Sequence, residues 1–122
     1  IAPSSKDLVI RKLKPSAFFG TPLMAFLNDL GADSLIVTGT TTSGCVRASV
    51  LDAFSNNLRC TIVEEACFDR SQASHAINLC DMHAKYADVV PVDQALSIDE
   101  ALSQIEEIDH VYNLPSGNSL GE

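Results

Sequence analysis

The sequence predicts an α/β domain in three layers, a parallel β-sheet with helices on both faces. Two observations carry that prediction. Short runs rich in β-branched residues alternate along the chain with stretches whose apolar residues recur at helical spacing. Each run leaves through small, polar or charged residues into the next helix, and strands alternating with helices pair in parallel through crossovers.

Residues 7–12 read as a first short strand that ends in positive charge at Arg11 and Lys12. Residues 15–21 follow as a loop in which Phe18 and Phe19 serve as wall and packing groups. Thr21 can cap a helix with Pro22 at its first position, where the missing N–H does no harm. Leu23, Phe26, Leu27 and Leu30 recur at helical spacing, and Gly31 ends that helix. Residues 35–37 form the second strand. Residues 45–56 form the second helix, with Val46, Val50, Leu51 and Phe54 on its apolar side and Asn56-Asn57 closing it. Residues 59–64 are the third strand and residues 65–70 the loop that leaves it. From Ser71 a long helix carries Ala73, Ile77, Leu79, Met82 and Tyr86 towards the core. Residues 88–92 are an edge strand, because Pro91 cannot donate to a central ladder. Ser97-Ile98-Asp99-Glu100 is a capping box that opens a last helix through Leu102 and Ile105. The order is β-α-β-α-β-α-β-α, and residues 109–122 form a polar tail suited to a mobile or partner-binding arm.

Length and charge bound the possible functions. A chain of 122 residues with 46% hydrophobic content fits one globular domain. No apolar run approaches the roughly 20 residues that span a bilayer, and the N-terminus lacks the basic and apolar regions of a signal peptide. Without an initiator Met, the chain reads as processed, truncated or one piece of something larger. A formal charge of −8 opposes nonspecific nucleic-acid binding, which needs a basic surface. The four cysteines at 45, 60, 67 and 80 form no CxxC pair and have no His at zinc-finger spacing. They read as free thiols in a reducing, cytoplasmic setting, with Cys60, Cys67 and Cys80 as small apolar fillers.

Cys45 stands apart by its position. It follows the strand at 35–37 and a cluster of small hydroxyl residues, Thr40 to Ser43, at the start of a helix. The first N–H groups of a helix are unpaired and its N-terminus is partly positive, so a thiolate is favoured there, as a nucleophile requires. Buried packing is the competing role for any cysteine. In a parallel sheet, ligands bind outside the carboxyl ends of the strands. The loops leaving three of those ends carry Lys12, Cys45 and Arg70, which topology could bring into one crevice. Taken singly, Lys12 is equally a solvated strand-end charge and Arg70 a surface partner of Asp69. His75 and His83, eight apart on the long helix, suit core or interface roles.

With these residues in place, the sequence resembles the isochorismatase-like cysteine hydrolases, most closely the branch of N-carbamoylsarcosine and maleamate amidohydrolases. Three pieces carry the likeness: Val9-Ile10-Arg11-Lys12 with Ser16 to Thr21; Val37 to Arg47; and Phe68-Asp69-Arg70 with His75 and Lys85 to Val89. The resemblance implies a Rossmann-like parallel sheet, Cys45 as nucleophile and Lys12 as the catalytic lysine. It implies a cis Thr40–Thr41 peptide and an oxyanion hole from the N–H groups of Thr41 and Cys45. Arg70 would meet a substrate carboxylate through two parallel hydrogen bonds, with Phe18 and Thr40 also at the substrate. The activity implied is hydrolysis of a linear amide or ureido group through a thioester, with release of ammonia.

One departure from the family pattern matters. The triad's aspartate, in a segment of the form apolar-apolar-Asp-x-Gln, has no match here. Residues 1–108 are therefore expected to be the C-terminal part of one hydrolase domain whose first strands are missing. An N-terminal fragment or chain would supply the aspartate. The metal-binding residues of nicotinamidases would also fall in that part, so no metal or cofactor is assigned. The expected partners are a small amide substrate, the N-terminal part and further copies of the chain, with no nucleic acid or membrane. A non-catalytic binding or assembly module is the alternative.

Overall fold

The computed structural model describes residues 2–98 and 100. Its sheet has three parallel strands in sequential order: β1 (Ser34–Thr40), β2 (Arg59–Phe68) and β3 (Asp88–Val90). The helices are α1 (Leu23–Asp29), α2 (Arg47–Ser55) and α3 (Gln72–Lys85), with a π-helical turn at Thr42–Val46 running into α2. Residues 92–98 are also helical.

Side chains alternate across a strand, and β2 uses both of its faces. Cys60 and Ile62 join Leu27 of α1, Val50 and Ala53 of α2, and Leu79 and Met82 of α3 in one core. Val63 points the other way and packs with Val90 and with Ala95 of the helical segment 92–98. The sheet is thus covered on both sides, the α/β sandwich that the alternation of elements predicts.

Several elements differ from the sequence reading. Residues 8–12 form no strand, and the exposed Val9 packs on nothing that would hold it in a ladder. Pro22, not Thr21, precedes the first helical residue, although the Thr21 hydroxyl still accepts from the Leu23 N–H at 3.4 Å. On α1 the inward stripe is Leu23, Met24 and Leu27, while Phe26 and Leu30 are exposed. On α2, Val50 and Ala53 are buried; Leu51 is exposed, and Phe54 instead meets Tyr86 edge-on with ring centroids 5.5 Å apart. On α3, Ala73 and Ile77 face outward, the latter 63% exposed, so only the second half of the helix packs inward. Phe19 and Cys80 are exposed rather than packed.

The third strand runs on through Phe68, taking in most of the expected loop. The fourth stops at Val90, so Pro91 falls outside the sheet altogether. The last helix begins before the expected capping box, and Ser97 lies inside it. Its first N–H is satisfied from afar, by Val92 donating to Glu65 Oε2 at 2.9 Å. Leu102, Ile105 and the tail at 109–122 lie outside the described residues.

Candidate active site

The geometry around Cys45 begins in β1. Gly39 has φ +113°, a conformation that side-chain-bearing residues rarely adopt, and it sits where the β1–β2 register breaks. Val37 pairs with Ile62 and Gly39 with Cys67, so β1 advances two residues while β2 advances five. The Thr40–Thr41 peptide that follows is cis. The chain then enters the π-helical turn Thr42–Val46, in which the Gly44 and Val46 N–H groups both donate to the Thr41 carbonyl, at 2.9 and 3.2 Å. Cys45 therefore lies on a π-helical turn that precedes α2, and not on the first turn of α2 itself.

Lys12 reaches this cysteine from an irregular segment. Its Nζ lies 3.2 Å from Cys45 Sγ and also donates to the Lys14 carbonyl at 3.1 Å. The segment is tied down just beyond: the Ala17 N–H donates to Ser49 Oγ on α2 at 2.9 Å, and Ser16 is buried. Phe18 consequently packs on the core and forms a wall of the site. Lys12, Cys45, Phe18, Thr40 and Val46 line a cavity of about 350 Å³ with a mostly apolar surface. Among the described residues, no carboxylate lines it. A larger depression of about 520 Å³, bordered by Arg59 and Asp88, opens where β2 and β3 begin, at the opposite end of the sheet. Lys12 and Cys45 meet at the smaller cavity and not at the larger one.

Arg70 is not part of that convergence. Its side chain is 89% exposed, 4.0 Å from Asp69, and it borders a separate groove with Gln72 and His75. Its nearest link to the cavity is through the backbone, since Phe68 pairs with Thr40 across the sheet. Burial pushes the Cys60 and Cys67 thiols up, and for Cys67 this outweighs an opposing hydrogen bond to Gly39, so both suit packing. His83, on the exposed side of α3, accepts from the Val89 N–H at 3.0 Å. Among the described residues, no group of three or more His, Cys, Asp or Glu side chains is arranged to hold a metal. Nor is any helix there long and apolar enough to cross a membrane.

Asp69 and His75, which the sequence reads as a surface pair with Arg70 and as a core or interface residue, both grip the cysteine turn. The Asp69 side chain is 1% exposed, and its Oδ2 accepts from the Ser43 N–H at 2.8 Å and from Ser74 Oγ at 3.4 Å. Its Oδ1 accepts from the Arg70 N–H at 2.8 Å. Hydrogen bonding from Ser43 first, with help from Arg70 and Ser74, holds the carboxyl below the ordinary aspartate range despite burial. His75 Nδ1 lies 2.8 Å from Oγ1 of the fully buried Thr42. An acid beside an arginine looks like a surface pair in one dimension, and nothing local announces that its partner is an amide 26 residues away.

An α/β sandwich with a cysteine and a lysine in contact at the carboxyl end of a parallel strand defines a recognisable class. Residues 1–94 match the isochorismatase domain, and the chain belongs to that family. Within it, the chain is 40% identical over 96 residues to maleamate amidohydrolase of Pseudomonas putida, covering 79% of this chain and 45% of that protein. It is 41% identical over 107 residues to N-carbamoylsarcosine amidase of Arthrobacter sp., covering 88% of this chain and 40% of the relative. The chain thus spans less than half the length of these curated relatives. Among solved structures, an isochorismatase family protein from Desulfovibrio vulgaris superposes with a TM-score of 0.76 at 32% identity, covering 84% of this chain and 53% of that one. An isochorismatase-like hydrolase from Alkaliphilus metalliredigens gives 0.77 at 26% identity, covering 80% and 53% respectively.

Proposed function

We propose that this chain is the cysteine-bearing part of an amidohydrolase that cleaves a linear amide or ureido C–N bond of a small, carboxylate-bearing substrate. The observation that carries the reading is the 3.2 Å contact between Lys12 Nζ and Cys45 Sγ at the mouth of a largely apolar cavity. An ammonium group there stabilises the thiolate, which is the nucleophilic form. The thiolate attacks the carbonyl carbon, the C–N bond breaks, and the nitrogen leaves with a proton as ammonia. Water then cleaves the thioester and returns the thiol.

The oxyanion formed in each half-reaction needs donors. The N–H groups of Thr41 and Cys45, on either side of the turn's start, would be those donors. Because no carboxylate among the described residues lines the cavity, the base that takes the thiol proton is assigned to an aspartate that this chain does not supply. An N-terminal fragment or chain would supply it. Arg70, exposed and two residues beyond the Phe68–Thr40 pairing, would meet the substrate carboxylate. The relatives named for maleamate and N-carbamoylsarcosine support that substrate class.

The test is ammonia release from maleamate and N-carbamoylsarcosine by the full-length protein. Cys45→Ala should abolish turnover, and Lys12→Met should lower kcat by about 10²–10³-fold, the scale of losing one electrostatic stabiliser. Arg70→Ala should raise KM for these acids and leave a neutral amide unaffected. Turnover that survives iodoacetamide modification of Cys45 would sink the reading and favour a binding or assembly module.

A further inference from the structure

The π-helical turn that carries Cys45 lacks a local cap. Thr41 precedes it in extended conformation, and no Thr41 side-chain bond reaches the turn's N–H groups. Such first-turn donors have no partner within their own helix. Asp69 fills the gap from another part of the chain: its carboxylate accepts the Ser43 N–H at 2.8 Å, two residues before Cys45. The charge suits a helix start, and hydrogen bonds to an ionised acceptor are roughly twice as strong as neutral ones.

The first half of α3 completes the grip. Ser74 also bonds Asp69, His75 holds Thr42, and Asn78 accepts from Arg47 at 2.6 Å just after the turn. Neither Asp69 nor His75 borders the cavity shared by Lys12 and Cys45, so their hold on the turn is made from outside it.

We infer that Asp69 is a positioning residue for Cys45: by holding the Ser43 N–H, its carboxylate fixes the turn that keeps the sulfur within reach of Lys12. The inference rests on the reading of Cys45 as the nucleophile. It assigns Asp69 no proton transfer and no substrate contact. Displacing a reacting group by about 1 Å can cost about 10²-fold in rate, so holding the turn matters even though nothing reacts at Asp69.

The experiment compares Asp69→Ala, Asp69→Asn and Asp69→Glu in the full-length protein, following ammonia release from maleamate and N-carbamoylsarcosine. Iodoacetamide labelling of Cys45 and of the exposed Cys80 is read in parallel by peptide mass spectrometry. Asp69→Ala should lower kcat by about 10²-fold with KM nearly unchanged. Asp69→Asn, which keeps an acceptor oxygen for Ser43, should recover most of that loss. Labelling of Cys45 should slow in the alanine variant while Cys80 reacts at the wild-type rate. A folded alanine variant with wild-type kcat and wild-type Cys45 labelling overturns the inference. So does a purely structural outcome, in which alanine and asparagine are equally damaging and Cys80 labelling changes as much as that of Cys45.

If Asp69→Ala does not fold, the other two variants decide. Asp69→Glu shifts the carboxylate by one methylene and should fall below Asp69→Asn in kcat; equality of both with wild type overturns the positioning role. Failure of the parent reading looks different. Turnover surviving in Cys45→Ala removes the nucleophile, while a wild type that hydrolyses neither compound leaves the labelling contrast between Cys45 and Cys80 to decide on Asp69.

Discussion

At the residue scale, a carboxylate nearly shut off from solvent stays charged because donors replace the water. Asp69 illustrates the balance: hydrogen bonds from Ser43, Arg70 and Ser74 outweigh the burial that pushes its pKa up. Its pKa is lower folded than unfolded, so the stability it contributes is fully present above the unfolded value near 3.9 and is lost as pH falls through the folded value. Thermal melts of the wild type and Asp69→Asn at a series of pH values should therefore converge below about pH 4. A gap between them that stays constant into acid would show that the carboxylate's charge contributes nothing. Lys12 makes the complementary point. Its ammonium acquires meaning only from the sulfur 3.2 Å away, since in sequence it is one of several exposed cations.

At the element scale, α3 does more than cover the sheet. Ser71 caps it, accepting the Ser74 N–H at 3.1 Å, and that cap fixes the turn that presents Ser74 and His75 to the cysteine loop. Ser71→Ala should cost about 0.5–2 kcal/mol in a chemical denaturation experiment, and Ser71→Asp should restore most of it. If the cap also transmits to the site, kcat should fall in the alanine variant and return with aspartate. The same helix shows why spacing alone does not give its apolar face. Ile77 is hydrophobic and correctly spaced, yet the helix's first half turns its polar residues towards the cysteine turn and leaves Ile77 in solvent. The start of the helical segment at 92–98 escapes the sequence for a related reason: Glu65 of β2 supplies its cap, and a cap borrowed from a strand 27 residues away leaves no local signature.

At the scale of the whole molecule, the two faces of β2 join the layers. Met82 is fully buried where α3 meets the main core, so Met82→Ala should destabilise by about 2–5 kcal/mol, measured as a shift in the denaturation midpoint. The opposite problem appears at β1, an edge strand among the described residues, where Ile36 is half exposed, and the apolar Val9 and Leu13 of the leading segment are exposed as well. An open edge with apolar neighbours invites pairing. Expressed alone, the chain should aggregate or associate; co-expressed with a fragment that supplies the proposed aspartate and pairs with this edge, it should stay dispersed. Light scattering on the two preparations checks this, and a monodisperse, folded monomer of the lone chain would refute it.

The sequence by itself determined the layering and singled out Cys45 at a strand end. Alternating β-branched runs and helical periodicities can be satisfied only by a parallel sheet under helices, and a cysteine after a small-residue strand end is a local signal. The cis bond at Thr40–Thr41 and the roles suggested for Lys12, Phe18 and Thr40 came from family resemblance added to that pattern. Tertiary structure alone decided the rest. It separated Arg70 from the cavity, extended β2 past the expected loop, dissolved the first strand and turned Asp69 inward onto Ser43. Those outcomes depend on partners distant along the chain, where hydrogen bonds and burial are settled by which surfaces meet. Local propensity contains no record of such meetings, and Cys45 is held by several of them.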